Sequence, residues 1–288
     1  MHRKSMKKVG LNPLKPWIKM RKETKSKIKK IAFVSLAIKI PTILYVVFLL
    51  TTIPAINAVP YDTVYGAHRG DSVEYIENTA EAIRAATENP DYQFIEFDIQ
   101  YTKDKVIVVH HDLSLLRLQG KSDKVLDLTY DELEIVSDYH IPTYDEAMYI
   151  IGDSKKINIE IKSAGNIEDD KEIVDYVVND CKEKGILANI MISSISNDVI
   201  IYVNEKYPEI KTGKIYWINS ATYNPLDYTT KNLYSQIEEL DADYLMLHGS
   251  NIHNINDLVK YKPEDVSLCI WYFNNEMYVI ETEGECMW

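Results

Sequence analysis

The feature that most constrains this chain is a rhythm. After Tyr61, short apolar runs alternate with amphipathic segments, the pattern of β/α units wound around a parallel sheet. Strands are expected at 65–67, 93–101, 157–161, 188–193, 214–217, 243–247 and 267–273. The clearest helix is expected over 168–184, with Ile173, Val174, Val177, Val178 and Cys181 on one face and Gly185 as its stop. Others are expected after Thr129 and Thr143 and at 197–206, 231–240 and 256–262, and Asn78 with Glu81 three residues on reads as a helix N-terminus. Seven such strands point to a (β/α)8 barrel, typically about 250 residues long. Only residues 275–288 follow the seventh strand, so the expected fold is an α/β, TIM-type barrel lacking its last β/α unit. Such an opening would expose the edges of strands one and seven.

Charge divides the chain. Residues 1–30 hold twelve Lys or Arg against Glu23 alone, a net +11, so a whole-chain charge of −12 leaves −23 on the remainder. An acidic domain excludes nucleic-acid phosphate as a partner, because such binding is driven by cationic side chains neutralising phosphates. Residues 31–59 are apolar except for Lys39, and 40–59 are twenty consecutive uncharged residues, enough to cross a bilayer as helix. Pro41 and Pro54 lie near the ends of that span, and Lys39 can snorkel to the basic side. The expected organisation is therefore a basic cytoplasmic arm (1–30), a transmembrane anchor (31–59) and an extracellular barrel (60–288), oriented by the positive-inside rule. A signal peptide cut near Ala58 is the rival reading, and both the basic and the apolar stretches are long for one. Cys181, Cys269 and Cys286 show neither C-x-x-C spacing nor an even count, so no disulfide framework or thiolate zinc site is indicated.

Polar chemistry concentrates between Val64 and Asp112. The apolar run at 65–67 ends in His68-Arg69-Gly70, and period two puts Glu96 and Asp98 on the same strand face as Phe94. The run at 106–111 follows after Thr102, Lys103, Asp104 and Lys105, too few residues for a parallel crossover. It is expected to fold back as a hairpin. A two-residue turn at Lys103 and Asp104 would set His111 opposite Glu96 and Val109 opposite Asp98, a register that a bulge would shift. Glu160 sits among isoleucines at another strand end, with Lys162 just beyond. Glu96, Asp98 and Glu160 together would make an all-oxygen site suited to Ca²⁺ or Mg²⁺. His68 and His111 beside it would serve as base and acid, with Arg69 and Lys162 holding an anion, a set suited to displacement at phosphorus. Taken singly, each has a plainer reading: a solvated E-x-D face, a surface pair at His110 and His111, a Glu160 satisfied by Lys162, a Trp271 that merely packs.

These residues resemble a known family, the glycerophosphodiester phosphodiesterases. The likeness rests on His68-Arg69-Gly70, Glu77-Asn78-Thr79, Glu96-Phe97-Asp98 and Val108-Val109-His110-His111-Asp112 in that order. It continues through Ile141-Pro142-Thr143, Glu160-Ile161-Lys162, Ser193-Ser194 and Trp271-Tyr272-Phe273-Asn274, covering nearly all of 62–274. The resemblance implies hydrolysis of glycerophosphodiesters to an alcohol and glycerol 3-phosphate with one divalent cation, Ca²⁺ or Mg²⁺. Carried over by position, Glu96, Asp98 and Glu160 match metal ligands, His68 and His111 the catalytic histidines, Arg69 and Lys162 the phosphate-facing residues, and Trp271 an aromatic lining the pocket. Ile76 stands where the family has proline, and its Trp-Thr-Val-Asn is Trp271-Tyr272-Phe273-Asn274 here. A final strand with Gly-Val-Asp and Thr-Asp is absent. Two alternatives stay open: an inactive truncated barrel, and a phosphodiesterase for lysophospholipid or a polyol-phosphate cell-wall polymer.

Overall fold

The structure, a computed structural model, describes residues 39–40, 62–217, 227–249, 254–272 and 276–281. The chain divides into Met1–Thr52 and Ile53–Trp288. Apart from the helical pair Lys39 and Ile40, the anchor expected over 31–59 lies outside the described residues, as does the basic arm. Among the described residues no helix is long and apolar enough to cross a membrane.

The barrel begins with β1 (Asp62–His68), then α1 (Ala80–Glu88), β2 (Phe94–Tyr101) and β3 (Ile107–Val109). Three helices follow, α2 (Leu116–Gln119), α3 (Tyr130–Val136) and α4 (Tyr144–Ile151). The β/α alternation then resumes with β4 (Lys156–Ile161), α5 (Ile167–Glu183), β5 (Ile190–Ser194), α6 (Asn197–Lys206), β6 (Lys211–Tyr216), α7 (Asp227–Glu239), β7 (Tyr244–His248), α8 (Ile255–Lys260), β8 (Ser267–Trp271) and β9 (Glu276–Glu281). The expected helices after Thr129 and Thr143 start with full capping boxes, the threonines accepting from the N–H of Glu132 and Glu146 while those carboxylates reach back. One expected start shifts: Thr79, not Asn78, caps α1, its side chain accepting from Ala82 N.

The expectation of an open barrel is overturned. In the sheet order β1-β9-β8-β7-β6-β5-β4-β2-β3, β1 also pairs with β2, so the sheet closes on itself, with β3 outside the ring. The eighth place is filled by β9, which runs antiparallel to both neighbours, from Asp62↔Glu281 to Ala67↔Glu276 against β1 and from Leu268↔Ile280 to Trp271↔Met277 against β8. Its direction follows from chain length: residues 272–275 cannot make a parallel crossover, but they suffice to turn back. Counting the residues after β8 against a full β/α unit misses this solution.

Alternation along the strands sorts two cores. Phe94, Met191, Tyr244, Met246, Met277 and Val279 fill the barrel interior, while Ile95, Phe97, Ile99, Ile157 and Ile159 pack outward with helix residues such as Val174 and Val177. Glu96 and Asp98 share the inward set of Phe94, so the fold places their charges inside the barrel at its C-terminal mouth, where barrel enzymes carry their chemistry.

Candidate active site

Three carboxylates meet inside the barrel. β2 and β4 run parallel with Asp98 beside Glu160, and Glu96 two residues earlier points the same way. Glu96 and Asp98 are 0 % exposed and Glu160 6 %. One oxygen from each lies within 4.8 Å of the others. Burial raises the Glu96 pKa well above the usual carboxylate range, and the Asp98 and Glu160 charges raise it further. Burial alone would raise Asp98 as well, but Lys162, His111 and Arg69 hold it well below that range. Glu160 is raised by burial against the opposing pull of Lys162.

The acids are held from several sides. Asn78 Nδ2 donates to Asp98 Oδ2 at 2.7 Å, and Asp98 N donates to Asn78 Oδ1 at 3.2 Å. Arg69 N donates to Glu96 Oε2 at 2.8 Å, and Lys162 Nζ lies 2.9 Å from Asp98 Oδ1 while also donating to Glu160. Glu96 Oε1, fully buried, accepts no hydrogen bond from the described residues. A buried carboxylate oxygen without a partner is costly, and a hard cation is the partner this all-oxygen set suits. Charge agrees: three carboxylates against Arg69 and Lys162 leave one negative charge, which a divalent cation turns to one positive and a phosphodiester monoanion then cancels. The residues fit such an ion.

The two histidines enter differently. His68 ends β1, and its Nδ1 lies 2.9 Å from the Tyr272 carbonyl, which can only accept; Nδ1 therefore carries the hydrogen and Nε2, 3.9 Å from Glu96 Oε2, is the basic atom. Burial, aided by Arg69, lowers the His68 pKa well below the usual range, so the ring is neutral. His111 arrives by another route than the expected register. The turn holds three residues, with Lys105 at φ 63°, so Ile99 faces Val109 and the Asp98 carbonyl accepts from His110 N at 3.0 Å. His110 is the residue buried beside β2, and His111 reaches the cavity from the loop beyond. There Gln100 Nε2 donates to the carbonyls of His110 and Asp112, and His111 Nδ1 lies 2.7 Å from Asp112 Oδ1.

His68, Arg69, His111, Glu160 and Lys162 line one cavity of about 470 Å³. Its apolar lining comes from residues that include Ile215, Trp217, Met246, Trp271 and Met277. Trp271 is buried and stacks edge-on to Trp217 at 6.2 Å. Six of the eight residues expected at the site line this cavity, and the other two, Glu96 and Asp98, cluster with Glu160. Sequence reasoning missed Asn78, which binds Asp98; Glu77, which accepts from Arg69 Nη1 at 2.7 Å; and Trp217 and Met277 in the apolar wall. The Glu77-Asn78 pair carried a signal, two polar residues ahead of a helix that Thr79 already caps.

Comparison with known proteins agrees with this geometry. Residues 68–281 match the glycerophosphoryl diester phosphodiesterase family. A glycerophosphodiester phosphodiesterase of Caldanaerobacter subterraneus subsp. tengcongensis is 33 % identical over 165 residues, 54 % of this chain and 67 % of that protein. A lysophospholipase D of Homo sapiens is 40 % identical over 70 residues, 24 % of this chain and 22 % of that protein. The crystal structure of a glycerophosphodiester phosphodiesterase from Thermotoga maritima superposes with a TM-score of 0.55 at 29 % identity, covering 71 % of this chain and 83 % of that one. With the matched family spanning well over half of its length, the chain belongs to the glycerophosphoryl diester phosphodiesterase family.

Proposed function

We propose that the protein hydrolyses glycerophosphodiesters to an alcohol and glycerol 3-phosphate, using a divalent cation held by Glu96, Asp98 and Glu160. The observation that carries this reading is the cluster of three buried carboxylates, one of which, Glu160, lines the same cavity as the two histidines. Arg69 and Lys162 bind the non-bridging phosphoryl oxygens. The neutral Nε2 of His68 takes the proton of the nucleophile as its oxygen bonds to phosphorus: water gives glycerol 3-phosphate directly, whereas the substrate's own glycerol hydroxyl gives a cyclic glycerol phosphate that a water then opens. His111, oriented through Nδ1 by Asp112, gives its Nε2 proton to the departing alkoxide as the phosphorus–oxygen bond breaks. A Ca²⁺ or Mg²⁺ ion held by Glu96, Asp98 and Glu160 would supply charge stabilisation as negative charge builds on the phosphoryl oxygens. The test is release of glycerol 3-phosphate from glycerophosphocholine, abolished by EDTA and in Glu96→Ala. Turnover that persists without metal would sink the assignment.

A second substrate class is favoured by the mouth of the cavity. Leu113, Ile195 and Trp217 line it and are 49, 55 and 51 % exposed, a run of apolar surface from the pocket to solvent that suits the acyl chain of a lysophospholipid. Replacing Leu113 and Ile195 with serine then lowers kcat/KM on lysophosphatidylcholine and leaves glycerophosphocholine unaffected; equal losses on both would remove this reading. We also infer, from the basic arm and the apolar run at 31–59, that the enzyme is anchored with its barrel outside the cytoplasm. Protease added to intact cells should digest the barrel; protection of the barrel would exclude that orientation.

A further inference from the structure

Arg117 lies outside the cavity wall, in the short helix α2, and about half of its side chain is exposed. Its guanidinium nevertheless joins the two loops that carry the chemistry. Nε donates to Asp112 Oδ2 at 2.6 Å, and the other oxygen of that carboxylate sits 2.7 Å from His111 Nδ1. Nη1 donates to Glu77 Oε2 at 2.8 Å, Nη2 donates to Glu77 Oε1, and Oε1 also accepts from Arg69 Nη1. A planar fork that occupies both Glu77 oxygens is fixed in orientation, and through Nε it fixes the plane of Asp112. A carboxylate free to rotate would present either oxygen at varying angle to His111, and the imidazole would turn with it. Locked as found, Nδ1 stays engaged with Asp112 and Nε2 is left as the ring nitrogen available to a substrate in the cavity that His111 lines.

We propose that Arg117 is a positioning residue for the proton donor: by holding Asp112, it sets the direction from which His111 protonates the leaving alcohol. The inference rests on the phosphodiesterase reading and on His111 as donor. It separates proton donation from phosphate binding, because only the first depends on the basicity of the leaving group. An alkoxide must be protonated as it departs, whereas p-nitrophenolate leaves as the anion.

The experiment compares wild type, Arg117→Ala and Arg117→Lys in the full chain on two esters of glycerol 3-phosphate, choline and p-nitrophenol. Loss of a residue that orients a catalytic group costs about 10- to 100-fold in activity, and the expected result is a fall of that size in kcat on the choline ester. On the p-nitrophenyl ester kcat should fall by less than about threefold, since general acid catalysis is not needed there. Any loosening of Arg69 through Glu77 appears as a rise in KM shared by both esters. Arg117→Lys keeps the charge but not the fork, so it should show the same split; it also serves should Arg117→Ala fail to fold. Equal kcat losses on the two esters, or none on either, overturn the proposal. Wild type inactive on both esters overturns the phosphodiesterase reading itself, and the inference with it.

Discussion

Gly70 is the residue on which the approach of β1 to α1 depends, and its replacement by alanine can be worked from geometry. Its φ is +74°, and a Cβ there would lie 2.7–2.8 Å from Ala82 C, Ala82 O and Ile83 N, the backbone of α1. A left-handed conformation costs a non-glycine residue about 1–2 kcal/mol. Overlap with backbone cannot be relieved by a rotamer change and adds about 1–3 kcal/mol. The sum is roughly 3 kcal/mol, and for a domain of this size each kcal/mol lowers Tm by about 2–4 °C, so a drop near 10 °C is expected. Gly120 is the control: its φ is +68° but nothing lies within 4 Å of the added Cβ, so Gly120→Ala carries only the conformational cost, about 2–8 °C in Tm. Relief of the Gly70 overlap must push α1 away, and Asn78, whose N–H bonds the Arg69 carbonyl, moves with it. Weaker divalent-cation binding should therefore accompany the lost stability. Thermal unfolding by circular dichroism, with and without cation, reads both effects. Equal Tm losses in the two variants would refute the argument that close approach sets this position.

Asn78→Asp replaces the donor 2.7 Å from Asp98 Oδ2 with a fourth carboxylate, and the expected loss is roughly 2–4 kcal/mol, partly restored by Ca²⁺ or Mg²⁺; an unchanged Tm would show the pair to be unimportant. Burial raises Glu96 and Glu160, so without cation their contribution to stability is complete below the ordinary value of 4.5 and is lost as pH rises through their higher native values. Asp98 has the opposite sign, contributing above 3.8 and failing as pH drops through its depressed native value. Calorimetry should accordingly find a larger cation-induced gain in Tm at pH 8 than at pH 5, and a gain independent of pH would contradict the buried-triad account. Val279→Pro removes an N–H from a strand paired on both sides, with Val64 and Cys269, and should destabilise by about 3 kcal/mol or more; wild-type melting would show that β9 does not close the barrel.

Much of this site was legible because strand geometry is local. Period two is enough to put Glu96 and Asp98 on one face, and an apolar strand around Glu160 is enough to turn that acid inward. The residues that failed to read were those whose conformation answers a distant partner. Asn78 looks like a cap, yet it adopts φ 59° to bind Asp98, leaving the capping to Thr79. Lys105 takes a left-handed conformation that a lysine does not advertise, and the extra turn residue shifts the hairpin by one. The gathering of His111 with the carboxylates survived that shift because the loop beyond β3, held by Gln100, delivers the ring.

The strand that the sequence hid most completely also reaches the chemistry. Glu276–Glu281 alternates Met277 and Val279 inward with Tyr278 and Ile280 outward, so both faces are apolar and no polar face marks it as a barrel strand. Arriving antiparallel, it begins at the mouth, where a parallel eighth strand would end. Met277 is thereby placed in the cavity wall, and the chain entering β9 leaves the Tyr272 carbonyl against His68 Nδ1. Tyr272 N in turn donates to the Glu276 carbonyl at 2.9 Å, which ties the position of that acceptor to the pairing of β8 with β9. Closure of the barrel and the tautomer of His68 are therefore coupled: a change that unpairs β9 from β8 also loosens the carbonyl that holds the hydrogen on His68 Nδ1.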